Sequence, residues 1–530
     1  MVTKSITLKV KLAIALVVVF TILLWPHKGT GLGCVGNSAR PALRMQIPYE
    51  PATLDFSLAE DGVSLRVLSA LMTGLVSYDR NYNIKMEIAE KMEKLQGGRK
   101  YRFTLRPWKW SDGKTVTADD FVFAMHRTLD PATNSKLADL LFFVKGARAF
   151  KRGELKDFSK VGVQAVSDDV LEFTLDIPVS FFPHVLTLPV GYPQRADLIS
   201  KLGAAWPEHM ASTGPYVLSR WLHDQRIEVE QNPSYPNFET GAPDRAVFQI
   251  IPEEATAVNL FENGRIDVLF KVPSFDMDRL RKRGVVKEFP YFATYYIAFD
   301  QRQPPWNDQK ARLAVAQAID RKLIVDAMGG TEYVASSWIP RGLPGFNAAI
   351  GVKHDPARAR ENWKNSKGAG MKKTLLGFDT SFRNQTAVER IQADLKEYLG
   401  VSVELRNRDW KTYLRELATK PPPMYRFGWL SPLVDAYSNL IVFESGNLNN
   451  YTGWANKEYD ALLRRIAVVD PGTSERQRLI DRAQHILLEE AVTVIPIFHY
   501  AQIIIVNQTI QGFWVNGMGM VDYMKVRIKN

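Results

Sequence analysis

Apolar residues in this chain recur with two alternating spacings. Period-two stretches predict strands at 45–49, 101–106, 170–176, 295–299, 374–378, 401–405, 424–429, 493–499 and 503–506. Helical spacing predicts helices at 62–75, 121–129, 253–262, 308–328, 356–363, 384–399, 457–468 and 474–490. Stretches 216–221 and 226–231 flank His223-Asp-Gln225 and read as a hairpin. A strand is also expected at 266–270, after Asn263-Gly264 closes a helix. Helices and strands mixed in this way predict an α/β or α+β protein with more than one lobe.

Local chemistry sharpens several ends. Thr117-Ala-Asp-Asp120 forms a capping box, and Gly400 is suited to close the 384–399 helix. The stretch 409–435 is the densest in functional residue types. Asp409 is a candidate N-cap for a short helix that three prolines end at 421–423, and a buried strand follows. That stretch holds Trp410, Arg426, Gly428, Trp429 and Asp435. A guanidinium, a glycine, two indoles and a carboxylate could build one wall of a binding site. They could equally be an ordinary helix–loop–strand unit with both tryptophans in the core.

The N-terminus changes the picture of where the protein works. Lys4, Lys9 and Lys11 precede an apolar run, 12–25, that ends at Pro26. A run of fourteen residues, apolar apart from Thr21, suits the core of a signal peptide and falls short of the roughly 20 that span a bilayer. Residues 1–33 are therefore expected to be a signal peptide, followed by a tether at 34–44. Cys34 is the only cysteine and sits in G-L-G-C, so an exported body would have no internal disulfide. The formal charge is +11; residues 1–33 hold Lys4, Lys9, Lys11 and Lys28 and no acid, which leaves +7 on the rest. The densest basic run, 279–283, is interrupted by Leu280 and lacks interleaved aromatics, so no nucleic-acid partner is expected.

Catalytic and metal signatures are missing. The eight histidines are dispersed, and neither H-x-x-x-H nor H-E-x-x-H occurs. There is no G-x-S-x-G elbow and no G-x-x-x-x-G-K-[ST] loop. Asp119/Asp120 and Glu253/Glu254 read as helix-start carboxylates. No cofactor, metal or enzymatic activity is expected.

Four segments carry a resemblance. They are Trp110-Ser-Asp-Gly-Lys-Thr-Val-Thr-Ala-Asp-Asp-Phe-Val122 with Arg127-Thr-Leu-Asp-Pro131; Thr213-Gly-Pro-Tyr-Val-Leu218; Asn307-Asp308 with Ala311-Arg-Leu-Ala-Val-Ala-Gln-Ala-Ile-Asp-Arg321; and Asp409-Trp-Lys-Thr-Tyr-Leu414 with Arg426, Gly428 and Trp429. In order and spacing, from about 49 to 500, the chain resembles the solute-binding proteins of bacterial ABC importers, in the oligopeptide- and dipeptide-binding class (solute-binding family 5).

The resemblance implies a two-lobed periplasmic-binding-protein fold with hinge strands and an extra sub-domain in the first lobe. Lobe 1 would comprise 45–72, 209–291 and 499–530, its extra sub-domain 73–208, and lobe 2 292–498. A peptide or peptide-like ligand would bind between the lobes through its backbone and pass to the permease subunits in the inner membrane. The protein would be a periplasmic monomer, and Cys34 resembles a lipidation site. Ligand contacts would come from Asp61, Gly62, Val63, Phe142, Phe143, Trp410, Arg426, Gly428 and Trp429. The pattern departs in two places. Ala293 and Leu430 stand where some members have paired cysteines. Pro432 stands where the oligopeptide-binding pattern has the aspartate that holds the ligand ammonium, so Asp435, the nearest acid, or failing that Asp61, is expected to hold it instead. The same machine binding a nickel chelate, haem, a murein peptide or an oligosaccharide is the alternative, and an exported hydrolase is the alternative from another class.

Overall fold

The computed structural model describes residues 42–529 apart from 60, 273–275 and 448. The expected signal peptide, most of the tether and Cys34 lie outside the described residues.

One 11-stranded sheet runs through the molecule. Its strands in chain order are β1 (Leu43–Ile47), β2 (Tyr216–Leu222), β3 (Arg226–Gln231), β4 (Arg245–Ile250), β5 (Val268–Leu269), β6 (Val286–Phe299), β7 (Tyr333–Val334), β8 (Lys373–Asp379), β9 (Ser402–Arg408), β10 (Met424–Leu430) and β11 (Val494–Val506). In space they run β9-β8-β10-β6-β11-β5-β1-β4-β3-β2, and β7 pairs β11 off this path. The strands on the two sides come from different parts of the chain.

β6 and β11 join those sides. They are the longest strands, at 14 and 13 residues, and pair antiparallel from Val286↔Ile505 to Ala298↔Val494. At one end β11 pairs β5 through Val268↔Val506; at the other, β6 pairs β10 from Ala293↔Leu430 to Phe299↔Met424. Between these ends the register shifts, between Pro290 and Thr294, where proline has no amide to donate. Two blocks of sheet thus share two continuous strands with a break at their middle, which is where a hinge can absorb rotation. Ala293 and Leu430 are direct cross-strand partners.

Sequence periodicity caught only pieces of both crossing strands. It placed β6 at 295–299, where alternate residues enter two different cores: Tyr295, Ile297 and Phe299 on one side, Tyr296 and Ala298 on the other. The first half of β6 carries Lys287, Glu288 and Pro290 and is half-exposed, so it shows no apolar pattern. The expected strands 493–499 and 503–506 are one strand whose middle, Tyr500 to Gln502, is half-buried.

The helices need similar corrections. Helix α1 is Gly62–Leu71, shorter than expected. α2 is Ala118–Leu129. The single helix expected at 308–328 is two, α3 (Gln309–Ala318) and α4 (Arg321–Ala327). Asp320 divides them: its carboxylate accepts from the amides of Lys322 (3.0 Å) and Leu323 (3.1 Å), so it starts a new helix. α5 (Phe382–Leu399) closes on Gly400 at φ +70° as expected. α6 is Trp410–Thr419, capped by Asp409. α7 is Ser474–His485, and its last predicted turn, Ile486–Glu490, widens to π geometry.

Three of the four resembling segments hold the scaffold. In the first, Trp110 donates to Asp120 (3.1 Å) and the Thr117 amide also donates to Asp120 (3.1 Å), while Trp108, just before it, donates its indole N–H to Thr213 O (3.0 Å). This ties α2 and a separate four-stranded sheet, Ala89–Leu95 to Val170–Thr174, onto the main body. In the second, the Thr73 amide donates to the Thr213 hydroxyl, and a Cβ on Gly214 would stand 2.7 Å from Leu71 C and Met72 N, so only glycine permits the approach. In the third, Arg312 donates to the carbonyls of Trp306, Ala491 and Val492, and Arg321 donates to Pro496 O (2.7 Å). These buried guanidinium groups lock α3 and α4 onto the start of β11.

His499 lies at the crossing, 1% exposed, with Nδ1 3.0 Å from the Thr294 hydroxyl and no partner for Nε2. Burial, with Arg341 nearby, pushes its pKa down to about 3. The folded state therefore refuses a proton that the unfolded chain accepts below about pH 6.5, and stability falls as pH drops from there toward 3. Between pH 7 and 5 the wild type should lose about 2 kcal/mol more than a His499→Gln variant in urea unfolding. Parallel pH profiles for the two proteins would contradict this.

Candidate functional site

The only charged side chain on the middle strand of the β8-β10-β6 block is Arg426, on β10. It is 7% exposed, forms an ion pair with Asp379 at the end of β8, and donates to the Tyr500 hydroxyl on β11 (3.1 Å). Its guanidinium also lies 4.7 Å from the centre of the Tyr295 ring. Burial alone would lower its pKa; Tyr500, Tyr295 and Asp379 outweigh that and hold it above the usual range. A permanent cation is thus fixed by three strands at the crossing.

Two residues on, Gly428 leaves the backbone open. A Cβ there would lie 3.4 Å from both Arg426 Nη2 and Tyr500 Oη, narrowing the space in front of them. Trp410, at the start of α6, is 50% exposed and stacks on Phe427 at 5.8 Å and 14°. Trp429 presents an indole N–H that is buried and has no acceptor. With Tyr291, Ala293 and Leu430 these residues line an open pocket of about 290 Å³.

That pocket adjoins a cleft of about 1000 Å³, and the two share Tyr291, Asp379, Arg426 and Tyr500. The cleft is walled from both sides of the sheet. Arg66 of α1 and Phe270-Lys271 after β5 stand on one side, and Gly329 to Glu332, Asp379 and Arg383 on the other. Tyr291 and residues 500–504 of the crossing strands form its floor. Most of its charge is committed: Glu332 forms an ion pair with Arg383 (3.2 Å) and accepts from the Ala501 amide (2.8 Å), and Glu254 pairs Lys271 (2.8 Å). Desolvation raises the Glu332 pKa above its ordinary value.

The expected site residues divide on this geometry. Trp410, Arg426, Gly428 and Trp429 come together in the pocket. Asp61 caps α1, accepting from the amides of Val63 (3.0 Å) and Ser64 (2.9 Å); Gly62 opens that helix and Val63 is buried. Phe142 lies under the Arg148 guanidinium and Phe143 packs edge-on to Phe181, so neither lines the cleft. Asp435 requires a correction. It is 1% exposed, and both its oxygens pair with buried Arg476, at 2.6 and 2.9 Å. The Tyr437 amide adds a third bond (2.8 Å), and burial closes the carboxylate to a ligand ammonium. Sequence reasoning passed over Asp379, Tyr291, Tyr500 and Arg66. Arg66 carried one signal: it is the only charged residue in the ten-residue helix Gly-Val-Ser-Leu-Arg-Val-Leu-Ser-Ala-Leu.

Comparison with known proteins adds the following. The family model described as "Bacterial extracellular solute-binding proteins, family 5 Middle" matches residues 83–451. A curated relative, 30% identical over 88% of this chain and 89% of its own length, is the probable deoxycholate-binding periplasmic protein YgiS of Escherichia coli strain K12. Another, 28% identical over 92% of each chain, is the dipeptide-binding protein DppE of Bacillus subtilis strain 168. Among solved structures, the unliganded open form of the periplasmic murein tripeptide-binding protein MppA matches with TM-score 0.80 at 26% identity, covering 92% of this chain and 97% of that one.

Removing one partner of the Asp435–Arg476 pair would strand a buried charge. Asp435→Asn should therefore cost about 3 kcal/mol or more in denaturant unfolding, while ligand affinity of the folded protein stays within about twofold. An unchanged unfolding midpoint with weakened binding would return Asp435 to the site.

Proposed function

This chain belongs to the family 5 bacterial extracellular solute-binding proteins, and on that premise we propose that it binds a peptide or peptide-like ligand in the cleft and delivers it to an ABC permease. The observation that carries the reading is the Arg426 cluster. A fixed cation, an open glycine backbone and two indoles face a roomy cleft at the junction of two sheet blocks. An extended peptide offers backbone donors and acceptors to such a wall, with Trp410 available for an apolar side chain. The lobes would be 45–72 with 209–291 and 499–530, and 292–498, with 73–208 as the extra sub-domain. A ligand touching both would favour the closed state in proportion to its extra contacts there. We assign Trp410, Arg426, Gly428 and Trp429 as ligand contacts, residues 1–33 as an export signal and Cys34 as a lipid attachment point. The protein would work in the periplasm as a monomer, without cofactor or catalysis.

A second reading, an amphipathic non-peptide ligand, has two observations in its favour. Pro432 replaces the ammonium-holding acid and Asp435 is spent on Arg476. A relative of 30% identity bears the name of a deoxycholate-binding protein.

Native mass spectrometry of protein purified from periplasm, followed by denaturing release, should yield short peptides of mixed sequence. A single sterol-like acid would replace the first reading with the second, and a metal chelate or sugar would replace both. Trp410 is half-exposed, so Trp410→Ala should leave the melting temperature unchanged and weaken the released ligand about tenfold.

A further inference from the structure

The cleft contains a spare cation. Arg66 is 8% exposed, yet no carboxylate among the described residues lies within ion-pairing distance of it. Its guanidinium sits 3.6 Å above the Phe270 ring, and its Nε is buried with no hydrogen-bond partner. Gly519, at φ +86°, keeps the space beside Nη2 clear: a Cβ there would stand 3.5 Å away. The nearest acid along the helix, Asp61, already caps α1.

A buried, unpaired guanidinium is costly, because lost hydration is not returned by a partner. Desolvation lowers the Arg66 pKa to about 10, with Tyr523, Tyr291, Tyr49 and Asp61 opposing the shift, so the group stays charged at neutral pH. The other cleft charges are answered. Arg426 faces Asp379, Arg383 faces Glu332, Lys271 faces Glu254 and Arg281 faces Glu288, while Asp278 is exposed to solvent. The unmet charge in this cleft is therefore positive, whereas an ammonium-anchored ligand would need an unmet negative one.

We propose that Arg66 is the ligand-anion subsite of the cleft and holds a carboxylate, with Phe270 behind the guanidinium and Tyr291 beside it. This rests on the reading of the cleft as the ligand site. A carboxylate there would satisfy two guanidinium donors in a fork and cancel the stranded charge. The chemistry fits two sources, the C-terminal carboxylate of a peptide or the acid group of an amphipathic molecule.

The test uses ligand-stripped, refolded full-length protein in calorimetric titrations with trialanine and trialanine amide, then with deoxycholate and its methyl ester. The free acid should bind at least tenfold more tightly than its neutral partner in whichever series binds. That preference should vanish in Arg66→Met, which keeps the stem over Phe270, and should largely persist in Arg66→Lys. Melting curves of both variants check that they fold. If acid and neutral forms bind alike, or if Arg66→Met keeps the preference, the subsite is wrong while the cleft remains a ligand site. If only the deoxycholate pair binds with the expected preference, the subsite stands and the peptide reading falls. Binding of neither pair overturns the subsite.

Discussion

The pairing of β6 with β11 holds the two halves of the central sheet together. The strands on one side of the central sheet reach those on the other only through these two, and the floor of the cleft is built from them. The ladder keeps its register from Val286 to Pro290, shifts between Pro290 and Thr294, and shifts again between Tyr295 and Tyr296, where alternate side chains of β6 enter separate cores. The proposed rotation of one block against the other would leave the floor of the cleft one continuous surface. Arg312 and Arg321 reinforce one end by tying α3 and α4 to the entry of β11.

Charge pairing decides what the cleft can accept. Buried ion pairs add little net stability, because desolvation offsets most of their attraction, but they fix groups in place. Asp435 and Arg476 use this to hold the loop after β10, and Arg426 and Asp379 to hold the wall beside Gly428. Once these pairs are set aside, the charge left over belongs to Arg66 on the opposite side. The polarity of the cleft is thus a property of partners contributed by distant segments, and a list of charged residues does not reveal it.

The resembling segments teach a related lesson. Trp110 to Val122, Thr213 to Leu218 and Ala311 to Arg321 carry the most specific patterns in the chain, and their side chains build joints. They point to the family that the match over residues 83–451 shows. The segment after Asp409 is the one that faces the cleft. The fourth segment thus carries both the resemblance and the pocket wall, while the first three carry the resemblance and the joints.

The local elements and the fold family are legible in the sequence: the capping box at Thr117, Gly400 at the end of α5 and the hairpin around His223. These rest on interactions within a few residues, or on patterns that persist over the whole chain. Tertiary structure alone decided the length of the crossing strands, the break at Asp320, the burial of Asp435 and the isolation of Arg66. Each depends on partners remote in the chain, such as Arg476 for Asp435 or Pro496 for Arg321. Local periodicity records which face of an element is buried; it does not record what waits on the other side.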